Sequence, residues 1–174
     1  MARSLLFQAG AIALATCAML TACDQPKPRD AAAEKPAGPA QTADPLPALP
    51  DWATPLMGRG LREVFTADAE CIGNTDIVES RYTGGSPGVK IIGWGWDPAT
   101  KAPVSRVVLV DRDFKIAGAG EGGLDRPDVP TARADVTSGQ TGWGAVSPLT
   151  SGPVDTYGVI ADGKAVCRLG HLEF

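Results

Sequence analysis

Few side chains in this chain of 174 residues belong to the types that do covalent chemistry. There is one histidine, His171, and four cysteines, Cys17, Cys23, Cys71 and Cys167. A Ser-His-Asp or Cys-His relay needs an imidazole to carry the proton. His171 stands close to the last residue, Phe174, with no G-x-S-x-G elbow anywhere in the chain, and reads as a structural or surface histidine. One His with two or so cysteines cannot supply the three or four ligands of a zinc centre. Carboxylates are more plentiful. Asp111 and Asp113 flank a turn, and Asp125 and Asp128 bracket Arg126 and Pro127. Such pairs could do acid–base work on a glycosidic bond, or offer oxygens to calcium. Turn formation accounts for most of them in a β protein, and the other ligands of an EF-hand loop are missing. No catalytic residue, metal or cofactor is therefore assigned.

Two motifs suggest ligands. "GAGEGG", Gly118–Gly123, matches the dinucleotide spacing G-x-G-x-x-G and follows a candidate strand. That fingerprint works only where the last glycine opens a helix whose amides hold the pyrophosphate. Here Pro127 and Pro130 fall where the helix would have to propagate, and proline breaks a helix interior. The glycines are read instead as a strand end with tight turns at positive φ. The second motif is "GWGWDP", Gly93–Pro98. Ile92, Trp94 and Trp96 fall on one face of a strand, and Val89, Ile91, Gly93 and Gly95 on the other. Both faces are apolar, so the two indoles are assigned to packing and turned into the core, with a sugar-stacking face as the alternative. Trp143, beside glycines in "TGWGA", is open to either role.

The elements around these residues are short. Runs of β-branched and aromatic residues separated by Gly, Pro, Asp and Asn predict strands at 70–81, 89–97, 105–111, 114–118, 142–147, 154–161 and 164–169. About seven such strands in one domain, 69–174, fit an antiparallel β-sandwich or small barrel. "ADGK", Ala161–Lys164, is a hairpin signal, and "DRDF", Asp111–Phe114, a second one. Residues 51–68 read as an irregular lead-in; Leu56, Leu61, Val64 and Phe65 are spaced for one short amphipathic turn of helix, which Gly58 and Gly60 weaken.

The first residues give an address rather than a fold. A short basic start, an apolar run too brief to span comfortably and small residues at its end mark residues 1–22 as a secretory signal. At "LTAC", Leu20–Cys23, this segment resembles the signals of bacterial lipoproteins. The resemblance implies cleavage before Cys23, a diacylglyceryl thioether on its sulfur and acylation of the new amino group. Acyl chains anchor by about 0.8 kcal/mol per buried CH₂, and stable anchoring needs more than one chain. The expected partner is therefore a membrane, reached through lipid on Cys23. Asp24 resembles the inner-membrane retention signal of some Gram-negative lipoproteins, a rule that varies between lineages. The expected place is the cell envelope, facing the periplasm.

From Asp24 to Pro50 the chain holds seven Pro and seven Ala in 27 residues and no aromatic residue. Such a segment buries too little apolar surface to fold, so 23–50 is expected to be a disordered, semi-rigid tether of about 80 Å when fully extended. With Cys17 discarded and Cys23 lipidated, Cys71 and Cys167 remain. In an oxidising compartment they read as one disulfide, joining the first predicted strand to the last. The net charge is −4, and no basic nucleic-acid footprint is visible.

"GWGWDP", "VVLVD" (Val107–Asp111), "RPDV" (Arg126–Val129), "TGWGA" (Thr141–Ala145) and "DGKAVCRLG" (Asp162–Gly170) occur in this order. Over roughly 70–170 the chain resembles the extracytoplasmic β-sandwich modules of the G-W-x-W-D-P type, found alone or appended to bacterial envelope membrane proteins. The resemblance implies an immunoglobulin-like fold in the envelope and carries no established activity. It makes Arg126 and Asp128, with Trp143, a candidate binding surface, or alternatively a salt-bridged loop anchor. The function expected is a lipid-anchored envelope lipoprotein presenting a non-catalytic binding or structural module to a protein or glycan. The alternative is a glycan-binding protein or a carboxylate-dependent enzyme acting on envelope saccharides.

Overall fold

The computed structural model describes residues 38–174, so residues 1–22, read above as a signal, and Cys23 and Asp24 lie outside the described residues. Ten strands occur among them: β1 (Ala40–Thr42), β2 (Ala67–Asp68), β3 (Ile72–Tyr82), β4 (Gly88–Asp97) and β5 (Ala102–Pro103), then β6 (Arg106–Val110), β7 (Ile116–Leu124), β8 (Gly142–Ser147), β9 (Val154–Ile160) and β10 (Ala165–Leu172). Two short helices, α1 (Leu61–Val64) and α2 (Asp128–Ala132), complete the set with brief 3₁₀ turns. The protein is all-β, as the strand pattern predicts.

Hydrogen bonding runs unbroken through the order β1-β3-β4-β8-β7-β6-β9-β10-β2, with β5 beside β4. The seven long strands pair antiparallel, and the two-residue and three-residue strands at the ends add in parallel. The layers of this domain are thus the two sides of one curled sheet. Its ends, β3 and β10, lie against each other. Cys71 and Cys167 join them as a disulfide, with Cα atoms 5.6 Å apart.

Curling is built into the sequence at two kinds of position. One residue is skipped in the pairing at Asp76 and Glu79 of β3, Ala117 and Gly123 of β7, and Leu169 of β10. Such bulges bend a strand and increase its twist. The second device is glycine where backbones meet. A methyl group on Gly120 would run into the carbonyl of Gly144 on β8, and one on Gly93 into the indole of Trp143. This corrects the reading of "GAGEGG": the run lies inside β7, not at a strand end, and of its glycines only Gly123 takes positive φ, +95°. Close approach, rather than turning, excludes side chains there.

The enclosed side of the sheet holds Val89, Ile91, Val107, Leu109, Trp143 and Leu169, all at most 3% exposed. Trp143 is 0% exposed, so its place in a binding surface is withdrawn. The outer side has two lids. The lead-in lays Ala53, Leu61 and Phe65 over Val108, Val110, Val159 and Val166. "VVLV" is therefore apolar at every position because both of its faces are covered. The lead-in also contains the expected helix, where the Glu63 carboxylate accepts the Gly60 amide at 3.1 Å. The second lid, the segment 125–141, brings Val129 and Val136 onto Trp96.

Both hairpin signals form. Ala161–Gly163 connects β9 to β10, and the Asp111 carboxylate accepts the amides of Asp113 and Lys115 at 2.9 Å in the turn from β6 to β7. The tether ends earlier than its composition suggests. Ala40–Thr42 pairs with Ser80–Tyr82, and the Leu46 amide donates to Ser86, so residues 40–46 belong to the domain. An alanine- and proline-rich stretch can still add to an edge strand, where half of its backbone groups need no partner.

Two stability measurements check this account. The Cys71–Cys167 bridge closes a loop with a sequence separation of 96, so Cys71→Ser should lower the unfolding free energy by about 4 kcal/mol in urea titrations. Gly120→Ala should cost about 3 kcal/mol or more, because backbone on the neighbouring strand cannot move aside as a side-chain tip could.

Candidate functional site

Asp76 is an extra residue in β3, with Thr75 opposite Gly93 and Ile77 opposite Ile92. The bulge re-aims its carboxylate across the outer face, where it meets Arg126 Nη1 at 2.5 Å. Arg126 reaches it from the start of the 125–141 lid, and donates through Nε and Nη2 to both oxygens of Asp128, at 2.9 and 2.8 Å. This fork-on-fork geometry suits guanidinium better than ammonium. The Arg126 amide donates to Gly139 at 2.6 Å, closing the base of the lid. Gln140 donates to Asp125 nearby, and Asn74 donates to Asp76 at 2.7 Å.

The charges in this cluster are locked. The hydrogen bonds that Arg126 donates to Asp128, opposed by burial and joined by those to Asp76, raise its pKa further above the ordinary value. The same Arg126 hydrogen bonds hold the exposed Asp128 carboxyl below the usual carboxylate range. Arg126 and Asp128 therefore do come together, and their first task is to anchor the lid. Asp76, the third member, went unrecognised in the sequence. Its signal was a break in alternation: Thr75 and Val78 both face inward, three positions apart, which requires an additional residue between them.

Beneath the anchor lies the outer face of β4, and here the two indoles part company. Trp96 is 2% exposed under Val129 and Val136, so it is packed, but beneath a lid outside the sheet rather than in the enclosed core as expected. Trp94, one step along the same face, emerges part-exposed at the lid's margin. Between the two lids runs an uncovered strip. Cross-strand pairing sets Ile77, Ile92 and Gly144 in one row; in the next, Asn74 and Trp94 are separated from Leu124 by Gly142, which is buried beneath Arg126 and Leu124. Ile77 and Leu124 are 55% and 46% exposed. Gly144 leaves a space flanked by Lys90 Cε, Leu124 Cδ1 and Ile92 Cγ2, at 3.2, 3.5 and 4.0 Å from where a Cβ would stand. A trough of about 330 Å³ opens there between Lys90, Glu121 and Leu124, bordered by Ala48 and Pro50. Lys90 is paired with Glu79, the other bulged carboxylate of β3, at 2.6 Å.

His171 sits elsewhere, on β10, with Nδ1 3.1 Å from Asp155 and Nε2 3.4 Å from Glu173. Both neighbours are carboxylates, and neither is a nucleophile of the Ser or Cys type. Burial pulls the Asp155 carboxyl upward, and hydrogen bonds from Arg168 and His171 overrule it, leaving it below the usual range. Asp97 is spent on its own turn, accepting the Ala99 amide and the Thr100 hydroxyl at 2.9 and 2.8 Å. Among the described residues no three His, Cys, Asp or Glu side chains gather as a metal site.

Comparison with protein-family models, with curated proteins and with solved structures finds no match.

The anchor makes a test with a definite sign. Arg126 is about one-quarter exposed, so Arg126→Ala should cost about 2 kcal/mol, between the values for surface and buried pairs. The depressed Asp128 pKa contributes stability that is complete above the unfolded value of about 3.9 and is lost as pH falls through the folded value. Acid unfolding of the variant, followed by circular dichroism, should accordingly show a weaker loss below that pH than the parent protein.

Proposed function

We propose that this protein is a lipid-anchored lipoprotein of the bacterial cell envelope whose β domain is a non-catalytic binding module. The observation that carries the reading is the uncovered strip. Two lids cover parts of the outer face of the sheet, yet Ile77 and Leu124 remain exposed outside them. Large apolar side chains left exposed beside charged residues mark interaction surfaces.

Three further features support a binding role over catalysis. Arg126 with Asp76 and Asp128 forms a charge-compensated anchor in which both carboxylates are engaged by one guanidinium. His171 lies between two carboxylates. Asp97 and Asp111 are engaged by turn amides. The order of the "GWGWDP", "RPDV" and "TGWGA" motifs adds its resemblance to immunoglobulin-like modules of envelope proteins.

The anchor follows from "LTAC" and the segment after it. Residues 24–37 would span about 40 Å if extended as polyproline II, holding the domain clear of the lipid headgroups. Asp24 favours the inner membrane as the place of attachment.

Two measurements test this reading. Cys23→Ser should move the protein from the membrane to the soluble fraction and abolish incorporation of labelled fatty acid; membrane retention of the variant rules the anchor out. A photo-crosslinking residue placed at Ile77 in intact cells should capture an envelope component, whereas the same probe at Arg112, on the opposite hairpin, should not. Failure to capture anything at Ile77 would refute the binding module.

A further inference from the structure

The two lids on the outer face are fastened in different ways. The lead-in is stitched to the sheet by its backbone: the Gly58 and Leu61 amides donate to Ile116 and Phe114, and the Ile116 amide donates to Arg59. Its apolar contact is broad, since Ala53, Leu61 and Phe65 are joined by Trp52, Leu56, Met57 and Val64. The lid over Trp96 spends its hydrogen bonds within itself. Arg126 bonds Gly139 and Asp128, Gln140 bonds Asp125, Arg133 bonds Asp135, and the Val129 and Val136 amides donate to Arg126 and Arg133. Among the described residues, one hydrogen-bonded contact joins 125–140 to a strand, that of Arg126 with Asp76. Val129 and Val136 are its only Val, Leu or Ile residues, and both rest on Trp96.

The ends of this lid are held together at the sheet. Leu124 and Gly142 stand opposite each other on β7 and β8, and Thr141 accepts the Gly95 amide of β4 at 2.9 Å. A compact loop whose ends meet, bonded mainly to itself, can leave the surface without unpairing a strand. Segments with few buried apolar contacts and no ladder to their neighbours open at free energies well below that of global unfolding. Two valines and one guanidinium hold this one shut. The ionic part can also break without stranding a charge. Arg126 keeps both oxygens of Asp128, which travels with it, and Asp76 keeps the Asn74 amide. An unpaired buried charge is the usual cost of opening such a contact, and here it does not arise.

We propose that 125–140 is a latched lid, hinged at Leu124 and Thr141, that opens as a unit while the strands stay paired; the contact of Arg126 with Asp76 is the latch. Opening uncovers Trp96 and further exposes Ile72, which stand opposite each other on β4 and β3, beside the part-exposed Trp94. The apolar outer face of β4 is thereby extended from one part-covered indole to two. No covalent step is involved, and the motion needs no ligand. Its failure therefore leaves the binding-module reading standing, and failure of that reading leaves the lid.

The test is native-state hydrogen exchange on the full-length protein in detergent. The Val129, Arg133 and Val136 amides, all bonded within the lid, report its opening, and the Val108 and Leu109 amides of β6 report unfolding of the sheet. In the parent protein the three lid amides should share one degree of protection, about a hundredfold or more below that of the β6 amides, with a weaker dependence on urea. Asp76→Ala should speed the three together by about tenfold, the loss expected for a partly buried ion pair. Asp76→Glu, whose carboxylate can still meet the guanidinium, should recover part of that. Asp135→Ala breaks a pair wholly inside the lid and should leave the lid rates as in the parent. A tryptophan-selective oxidant, with its sites mapped by mass spectrometry, should reach Trp96 faster in Asp76→Ala than in the parent, while the enclosed Trp143 keeps its rate.

Lid amides protected to the same degree as the β6 amides, with the same urea dependence, would overturn the proposal, because the lid would then open only when the sheet unfolds. That comparison uses the parent protein alone and does not depend on the folding of a variant. Lid exchange and Trp96 oxidation that Asp76→Ala leaves unchanged would also overturn it, since Arg126 and Asp76 would then not be the latch.

Discussion

A seven-strand sheet can bring its first and last long strands together only if it coils steeply, and a steep coil leaves little space on its concave side. That restriction governs this structure. It is why Gly120 must pass the Gly144 carbonyl without a side chain, and why Trp143 rests on Gly93, the residue between Ile92 and Trp94. It is also why β3 and β10 meet closely enough for Cys71 and Cys167 to bond. Concave space filled by the Trp143 indole together with Val89, Ile91, Val107, Leu109 and Leu169 cannot hold a ligand, so any binding must use the convex side. There, strands diverge and side chains spread apart, and the protein covers the exposed apolar area with two separate lids rather than a second sheet.

The same coil supplies the polar chemistry. A bulge adds twist, and it also turns one side chain out of the alternation. In β3 this happens twice, at Asp76 and at Glu79, and each displaced carboxylate takes a cation, Arg126 and Lys90 respectively. The two pairs stand on either side of Ile77. The device that bends the strand therefore also rims the open strip, and the lid over Trp96 is fastened to the bend itself. Curvature, lid and strip are consequences of the same extra residues.

Much of this was legible in the sequence. Strand positions followed from β-branched runs, and their boundaries fell within a few residues at β3, β4, β6, β8 and β9. "ADGK" and "DRDF" made the turns their chemistry favours, and the pairing of Cys71 with Cys167 followed once the other two cysteines were assigned. What escaped was anything set by neighbours distant in sequence. "GAGEGG" looks like turns because glycine does permit positive φ; only the opposing β8 backbone reveals that close approach is the reason. Trp143 beside glycines resembles an open platform until Gly93 is seen beneath it. Periodicity correctly placed Trp94 and Trp96 on one face, but it cannot say whether that face is concave or convex. Packing therefore held for Trp96 while its location did not.

Trp94 is the residue on which these lines converge. A β protein of this size has two inexpensive places for an indole, inside the sheet or beneath a lid, and Trp143 and Trp96 occupy them at 0% and 2% exposure. Trp94 has neighbours suited to burial, since it adjoins the cluster of Trp96, Val129 and Val136. It nevertheless stays part-exposed, and the lid that carries Val129 and Val136 is fastened through Arg126 to Asp76 and Asp128. Exposing part of an indole forgoes roughly 25 cal/mol for each Å² left in water. An apolar side chain in place of Gly144 would meet only side-chain atoms of Lys90, Leu124 and Ile92, whereas one at Gly142 would run into Arg126 and the Leu124 backbone. Gly144 leaves its part of the face without a side chain, and the ion-paired anchor fixes where the lid over Trp96 is fastened.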